Sequence, residues 1–204
     1  RLIRNNLSLE EMMNELLEWD RRRVDLVTAA SNVIMLNNNV ADVTHPELGN
    51  FDPTISMHGQ IANKLNIPMQ YYRRMLAEDV TLLDTNVSRW LQRHGKDLML
   101  RCYKNDDEEG GIGRALLSDK YKRIDNVPVL ETVLGHLMKM DVDLKVDTCD
   151  ISEKKMVVRF VNPSIKLNAQ DLIKTYRNPE TGKFDQHIFG GMALWNSETG
   201  FGSF

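Results

Sequence analysis

The chain is poor in cysteine: it has two in 204 residues, Cys102 and Cys149, far apart and in no CxxC pair. This excludes a disulfide scaffold and a thiolate zinc site, and it points to a reducing compartment such as the cytoplasm. No apolar run approaches the ~20 residues of a membrane-spanning helix, and no signal-peptide pattern opens the sequence. An excess of positive charge is also missing. Lys and Arg number 26 against 29 Asp and Glu, for a net charge of −3. The field of the whole molecule does not attract phosphate, so nucleic acid is reachable only through a local basic patch. His45, His58, His94, His136 and His187 are dispersed, with no HxxxH or HExxH, and a metal site is not expected. GxSxG is absent. Gly110–Gly113 lacks the lysine and the following Ser/Thr of a phosphate loop, so ATP has no support and no cofactor is expected.

What is there reads as an ordinary globular protein. Hydrophobic residues make up 42% and charged residues 27%, enough for a core without staples. The chain starts at Arg1 rather than Met and its last residues resemble a strand in progress, so a piece of a longer protein is expected. Ser8-Leu9-Glu10-Glu11 is a capping box, followed by Met12, Met13, Leu16, Leu17 and Trp19 at helical spacing to about Arg21. Val24–Val27 and Val33–Leu36 read as strands, Asn37–Asn39 as a turn, and Val40–Pro53, with two prolines, as irregular. Ser56–Leu91 reads as helices broken at Asn66-Ile67-Pro68. The third of them carries Leu82, Leu83, Val87, Trp90 and Leu91.

Strands dominate after Gly95. Leu98–Tyr103 and Ile112–Leu117 form a hairpin around an acidic loop. A helix capped by Asp125 or Asn126 follows. Val142–Cys149 and Met156–Val161 make a second hairpin. Asn178–Lys183 is a polar loop, and Ile188–Trp195 and Phe201–Phe204 are the last candidate strands. The expected class is α+β: N-terminal and central helices, then antiparallel hairpins flanking a helix, a β-β-α-β-β core. Residues 1–55, 56–94 and 95–204 are its three segments, within one folded unit.

The densest signal is GIGRALLSDKYKRIDN, Gly111 to Asn126. Lys120, Lys122 and Arg123 surround Tyr121 on a tight bend, with Arg114 in the strand before it and Arg101 on the neighbouring strand. Such a bend can present cations to a phosphate backbone and an aromatic face to a base, the pairing that single-strand binders use. Equally, lysines around a turn keep strand ends soluble, and a tyrosine there packs on the core. His58–Leu76, with Tyr72, Arg73 and Arg74 on its second helix, fits a helix-turn-helix or simply two packed helices. Asp150, Glu153 and Lys155 mimic the acid-plus-lysine pattern of metal-dependent nucleases, or a polar hairpin turn. Asn196-Ser197-Glu198-Thr199-Gly200 is a turn by composition that gathers several polar groups.

HGQIANKLNIPMQYYRRML, Asn86 with Trp90, GRALLSDKYKRIDN and NSETG occur in that order. Together they resemble the phage/plasmid-like protein family, a domain of unknown function in phages, prophages and plasmids. The resemblance runs from about Ser56 to the end. The acidic loop Asp106–Glu109 and the N-terminal third depart from it. It implies a setting in mobile elements, in the cytoplasm of a bacterial host, and a role in DNA replication, recombination or defence.

The leading expectation is a protein that is not an enzyme and binds single-stranded DNA as a homo-oligomer, promoting annealing without ATP. Arg101, Arg114, Lys120, Lys122 and Arg123 would contact phosphate and Tyr121 would stack. The alternatives are a nuclease using Asp150, Glu153 and Lys155, a protein-interaction module with no nucleic-acid role, and a duplex-reading regulator.

Overall fold

A computed structural model describes residues 2–36, 42–106, 110–140, 142–168 and 187–201. The expected turn at Asn37–Asn39, residues 107–109 of the acidic loop, the loop Asn178–Lys183 and the last three residues of the expected final strand lie outside the described residues. Phe201 itself is not in a strand.

The elements in order are β1 (Arg4–Leu7), α1 (Leu9–Arg22), β2 (Arg23–Ala29), β3 (Ile34–Leu36), β4 (Asp42–His45), β5 (Gly49–Pro53), α2 (Ile55–Lys64), α3 (Met69–Glu78), α4 (Val80–Arg93), β6 (Asp97–Lys104), β7 (Gly111–Ser118), α5 (Asn126–Leu137), β8 (Lys145–Ile151), β9 (Met156–Asn168) and β10 (His187–Asn196). The protein is α+β. Its strands form a six-stranded sheet ordered β2-β6-β7-β5-β4-β3 and a four-stranded sheet ordered β1-β8-β9-β10. The order β-β-α-β-β is present along the chain, but its two hairpins lie in different sheets. The first and third sequence segments interleave, since β2 pairs with β6, β5 runs parallel to β7, and β1 pairs with β8.

One face of the six-stranded sheet packs on α2, α3 and α4. Leu98, Leu100, Cys102, Leu116, Phe51, Val43 and Met35 meet Met57, Ile61, Tyr72, Met75, Leu83, Val87 and Leu91 there. A second core joins Met12, Leu16 and Trp19 of α1 and Leu130 of α5 to Cys149, Ile151, Met156, Val158 and Phe160 of the smaller sheet. Tyr103, on the other face of β6, belongs to this second core. β6 is therefore covered on both sides, which is why it reads as a near-continuous apolar run broken by Arg101.

Val40–Pro53 is not irregular over its described part, because β4 and β5 lie within it. Its prolines sit where strands tolerate them: Pro46 in the turn between β4 and β5, and Pro53 as the last residue of β5. Phe51 is fully buried between them. β1 went unread because it is short, with Asn6 in the left-handed region at φ 55°.

Local signals account for the helix ends. The Ser8 hydroxyl accepts from the Glu11 N–H at 3.1 Å, and the Ser8 N–H donates back to the Glu11 carboxylate at 2.8 Å. α2 ends in a Schellman motif. Asn66 takes φ 53°, the Ile67 N–H donates to the Ala62 carbonyl at 2.9 Å, and the Asn66 N–H donates to the Asn63 carbonyl at 3.2 Å. Ile67 then buries itself against the core, and Pro68 opens α3. The α2–α3 elbow is thus fixed by backbone hydrogen bonds, a buried side chain and a proline.

Two glycines give opposite expectations. A Cβ on Gly111 would lie 1.9 Å from the Tyr103 carbonyl oxygen, whereas a Cβ on Gly135, inside α5, meets nothing within 4 Å. Gly111→Ala should lose about 1–3 kcal/mol and Gly135→Ala should gain about 0.5–1 kcal/mol, both read from urea unfolding at neutral pH.

Candidate functional site

The alternation of β6 decides the fate of the first predicted cation. Leu100 and Cys102 face the helices, so Arg101 points to the opposite face of the sheet, where it is 0% exposed. Its Nε and one terminal nitrogen donate to the two oxygens of Asp25 at 2.7 and 2.9 Å. That same nitrogen donates to Asp125 at 2.8 Å, and the other terminal nitrogen donates to the Glu198 carbonyl at 2.9 Å. Arg114 is buried too. It donates to the Glu198 carboxylate at 2.8 Å and to the Tyr103 hydroxyl, and it lies over the Tyr103 and Trp19 rings. Glu198 spends its other oxygen on the Asn126 N–H at 2.7 Å, at the start of α5. This replaces the expected cap: Asp125 is the N-cap residue but makes no side-chain cap bond, because its carboxylate serves Arg101 and Arg23.

The predicted phosphate contacts therefore need correcting. Arg101 and Arg114 are sequestered in a buried ionic layer and offer nothing to solvent. Tyr121 is not a free stacking face either. Its ring packs with Met99, Ala115 and Leu117, and its hydroxyl donates to the Ser197 carbonyl at 3.3 Å. Arg123 is 51% exposed but leans on Asp25 at 3.0 Å. Lys120 and Lys122 are exposed and make no ion pair among the described residues.

Burial alone would raise the Asp25 pKa. The hydrogen bonds and charge of Arg101, with Arg123 and Arg23, outweigh it and hold the carboxyl below its ordinary range. The carboxylates of the nuclease pattern have partners of their own. Asp150 turns to the Asn6 N–H and to Arg159, while Glu153 accepts from Ser56 at 3.4 Å. Among the described residues no three His, Cys, Asp or Glu side chains are grouped to hold a metal. In the helix pair, Tyr72 is buried with its hydroxyl 2.8 Å from His58 Nδ1, so it reads no groove. Burial lowers the His58 pKa to about 4, so this is a neutral core histidine.

A different surface gathers aromatics and cations. Lys64 at the end of α2, Tyr71 on α3, Asn86, Trp90 and Arg93 along α4 and His94 just beyond its end line a groove of about 510 Å3 beside the elbow. Tyr71 is 45% exposed and Trp90 48%. The Arg93 guanidinium sits 6.0 Å from the Trp90 ring centre. Burial lowers the Lys64 pKa, opposed by the charge of nearby Asp119. α2 runs alongside β7: the Thr54 hydroxyl donates to the Arg114 carbonyl, and the Gln60 side chain accepts from the Leu116 N–H.

Sequence reading missed these residues by one helical step. The buried stripe of α4 is Leu83, Val87 and Leu91, and that of α3 is Tyr72 and Met75. Trp90 and Tyr71, one residue off those stripes, point about 100° away. An aromatic next to a complete i, i+4, i+8 stripe was the available signal. No family model, curated protein or solved structure matches this chain.

The Asp25 pair sets a pH dependence. The folded pKa lies below the unfolded value of about 3.9. The stability it contributes is therefore complete above that value and is lost as pH falls through the folded pKa. Arg101→Met should lose about 3–5 kcal/mol at pH 7. In urea unfolding between pH 6 and pH 2 its further loss on acidification should be smaller than that of the wild type.

Proposed function

We propose that this chain binds single-stranded DNA without ATP, as a DNA-metabolism protein of a phage or other mobile element in its bacterial host. The observation that carries the reading is the groove beside the elbow. Two half-exposed rings, Trp90 and Tyr71, lie among Lys64, Arg93 and His94, and α2, which ends at Lys64, runs along β7, whose end leads into the turn with the exposed Lys120 and Lys122. Stacking on aromatics between cations that follow a backbone is the chemistry of sequence-tolerant single-strand binding. Trp90 and Tyr71 stack bases; Lys64, Arg93, Lys120 and Lys122 meet phosphates. Asn86, Asn66 and His94 offer polar groups to base edges.

A net charge of −3 makes the binding local, since nothing steers DNA to the rest of the surface. A homo-oligomer suits such a chain because it lines several grooves along one strand, and strand annealing is the activity that such an array would promote. Among the described residues no helix is long and apolar enough to cross a membrane.

Fluorescence anisotropy with a labelled oligo-dT tests this. Four phosphate contacts give a log–log salt slope of about −3, and single strand should be preferred to duplex. Trp90→Ala should weaken binding by about 1–3 kcal/mol, and Lys120→Ala with Lys122→Ala should flatten the salt slope. No binding at low salt overturns the proposal.

A further inference from the structure

The elbow has a second side. Ile67 is a wall of the first groove and also of another, of about 440 Å3, lined by Asn63, Arg73, Lys154 and Phe201. The helix geometry explains why the two lie back to back. Asn63 and Lys64 are about 100° apart on α2, and Tyr71 and Arg73 about 200° apart on α3. One residue of each pair serves each groove.

The second groove repeats the chemistry of the first. Phe201 is 45% exposed, and the Lys154 ammonium lies 5.0 Å from its ring centre. Arg73 is exposed and makes no ion pair among the described residues, unlike Arg74, which pairs with Glu78 at 2.8 Å. Phe201 and Lys154 come from regions distant in sequence and are brought together deliberately tightly. The Ser197 hydroxyl donates to the Lys154 carbonyl at 2.6 Å, the Phe201 N–H donates to the Ser197 hydroxyl at 3.0 Å, and the Thr199 hydroxyl donates to the Glu153 carbonyl at 3.3 Å. Gln60 of α2 donates to the Thr199 carbonyl at 2.6 Å, which fixes this corner against the helix that separates the grooves.

We infer that a bound single strand crosses the Asn66-Ile67-Pro68 ridge, with bases stacked on Trp90 and Tyr71 on one side and on Phe201 on the other, and with Arg73 and Lys154 holding phosphates beyond the ridge. The inference rests on the single-strand reading above and extends its footprint. Each groove is a short aromatic–cationic site. The ridge between them is rigid, since the Schellman bonds, buried Ile67 and Pro68 hold it, so the two sites keep a fixed spacing that a flexible strand can span. A strand long enough for both grooves then binds more tightly than one that fills either alone.

The test uses oligo-dT of 4, 8, 12 and 16 nucleotides, measured by anisotropy at low salt. It compares the wild type, Phe201→Ala and the charge reversal Arg73→Glu with Lys154→Glu, with thermal unfolding to check that each variant is folded. Phe201→Ala should weaken the longer oligonucleotides about tenfold, the loss of one stacked base, and leave the 4-mer nearly unchanged. The charge reversal should do the same and lower the salt slope for the long oligonucleotides only. Wild-type binding that tightens with length but ignores both variants overturns the crossing while the single-strand reading stands. Failure of the wild type to bind any of the four overturns that reading, and the crossing with it.

Discussion

The contact on which the most structure depends is the bidentate grip of Arg101 on Asp25, a buried cross-strand pair on the face of the six-stranded sheet away from α2–α4. A fully buried guanidinium is tolerable only with its donors occupied, and here three elements supply the acceptors: β2 through Asp25, the approach to α5 through Asp125, and the loop after β10 through the Glu198 carbonyl. Arg114, one strand over, is held less completely: one terminal nitrogen donates to the Glu198 carboxylate and the Tyr103 hydroxyl, while its buried Nε has no hydrogen-bond partner among the described residues and the guanidinium lies over the Tyr103 and Trp19 rings. The Asn196–Gly200 loop is consequently a hub. It closes the ionic layer, satisfies the first N–H of α5, and through Thr199 and Ser197 holds Gln60 of α2 and the Glu153-Lys154 turn.

This hub separates two populations of cations that composition cannot distinguish. Arg101 and Arg114 are held by carboxylates inside, and the half-buried Arg23 joins the same network through Asp125; these pairs fasten β2, β6 and β7 to the loops before α5 and after β10. Lys120, Lys122 and Arg73 project outward, and Arg73 shares a groove with the exposed ring of Phe201. In a chain of net charge −3, the second group is the one available to a phosphate backbone. The proposed strand site is therefore supported by helix ends and a turn, and the arginines expected to clamp DNA instead hold the scaffold that presents it.

Much of the fold was legible wherever a local rule governs. The Ser8 capping box, the break at Asn66–Pro68, the β6–β7 hairpin and the helix after Asn126 each follow from residues close in sequence. The sheet partnership was not legible, because β2 with β6, β5 with β7 and β1 with β8 are long-range pairings of short strands. The site was half legible. GRALLSDKYKRIDN and NSETG do come together, but as a buried lock, since nothing in the sequence of β6 says that both its faces are covered. His58–Leu76 and the Asn86–Trp90 pair meet at the groove. There the decisive fact was helical phase: Leu83, Val87 and Leu91 complete the inward stripe and leave Trp90 outside.

The chain contains three tryptophans, and two of them form an internal control. Trp19 is 6% exposed, with its indole N–H donated to Glu15 at 3.0 Å, whereas Trp90 is 48% exposed in the groove. Titration of 15N-labelled protein with oligo-dT, following the indole Nε1–H resonances, measures the claim directly. The account predicts a saturable shift of the Trp90 indole, with the Trp19 indole unmoved. A shift at Trp19, or none at Trp90 when the strand is bound, would contradict it.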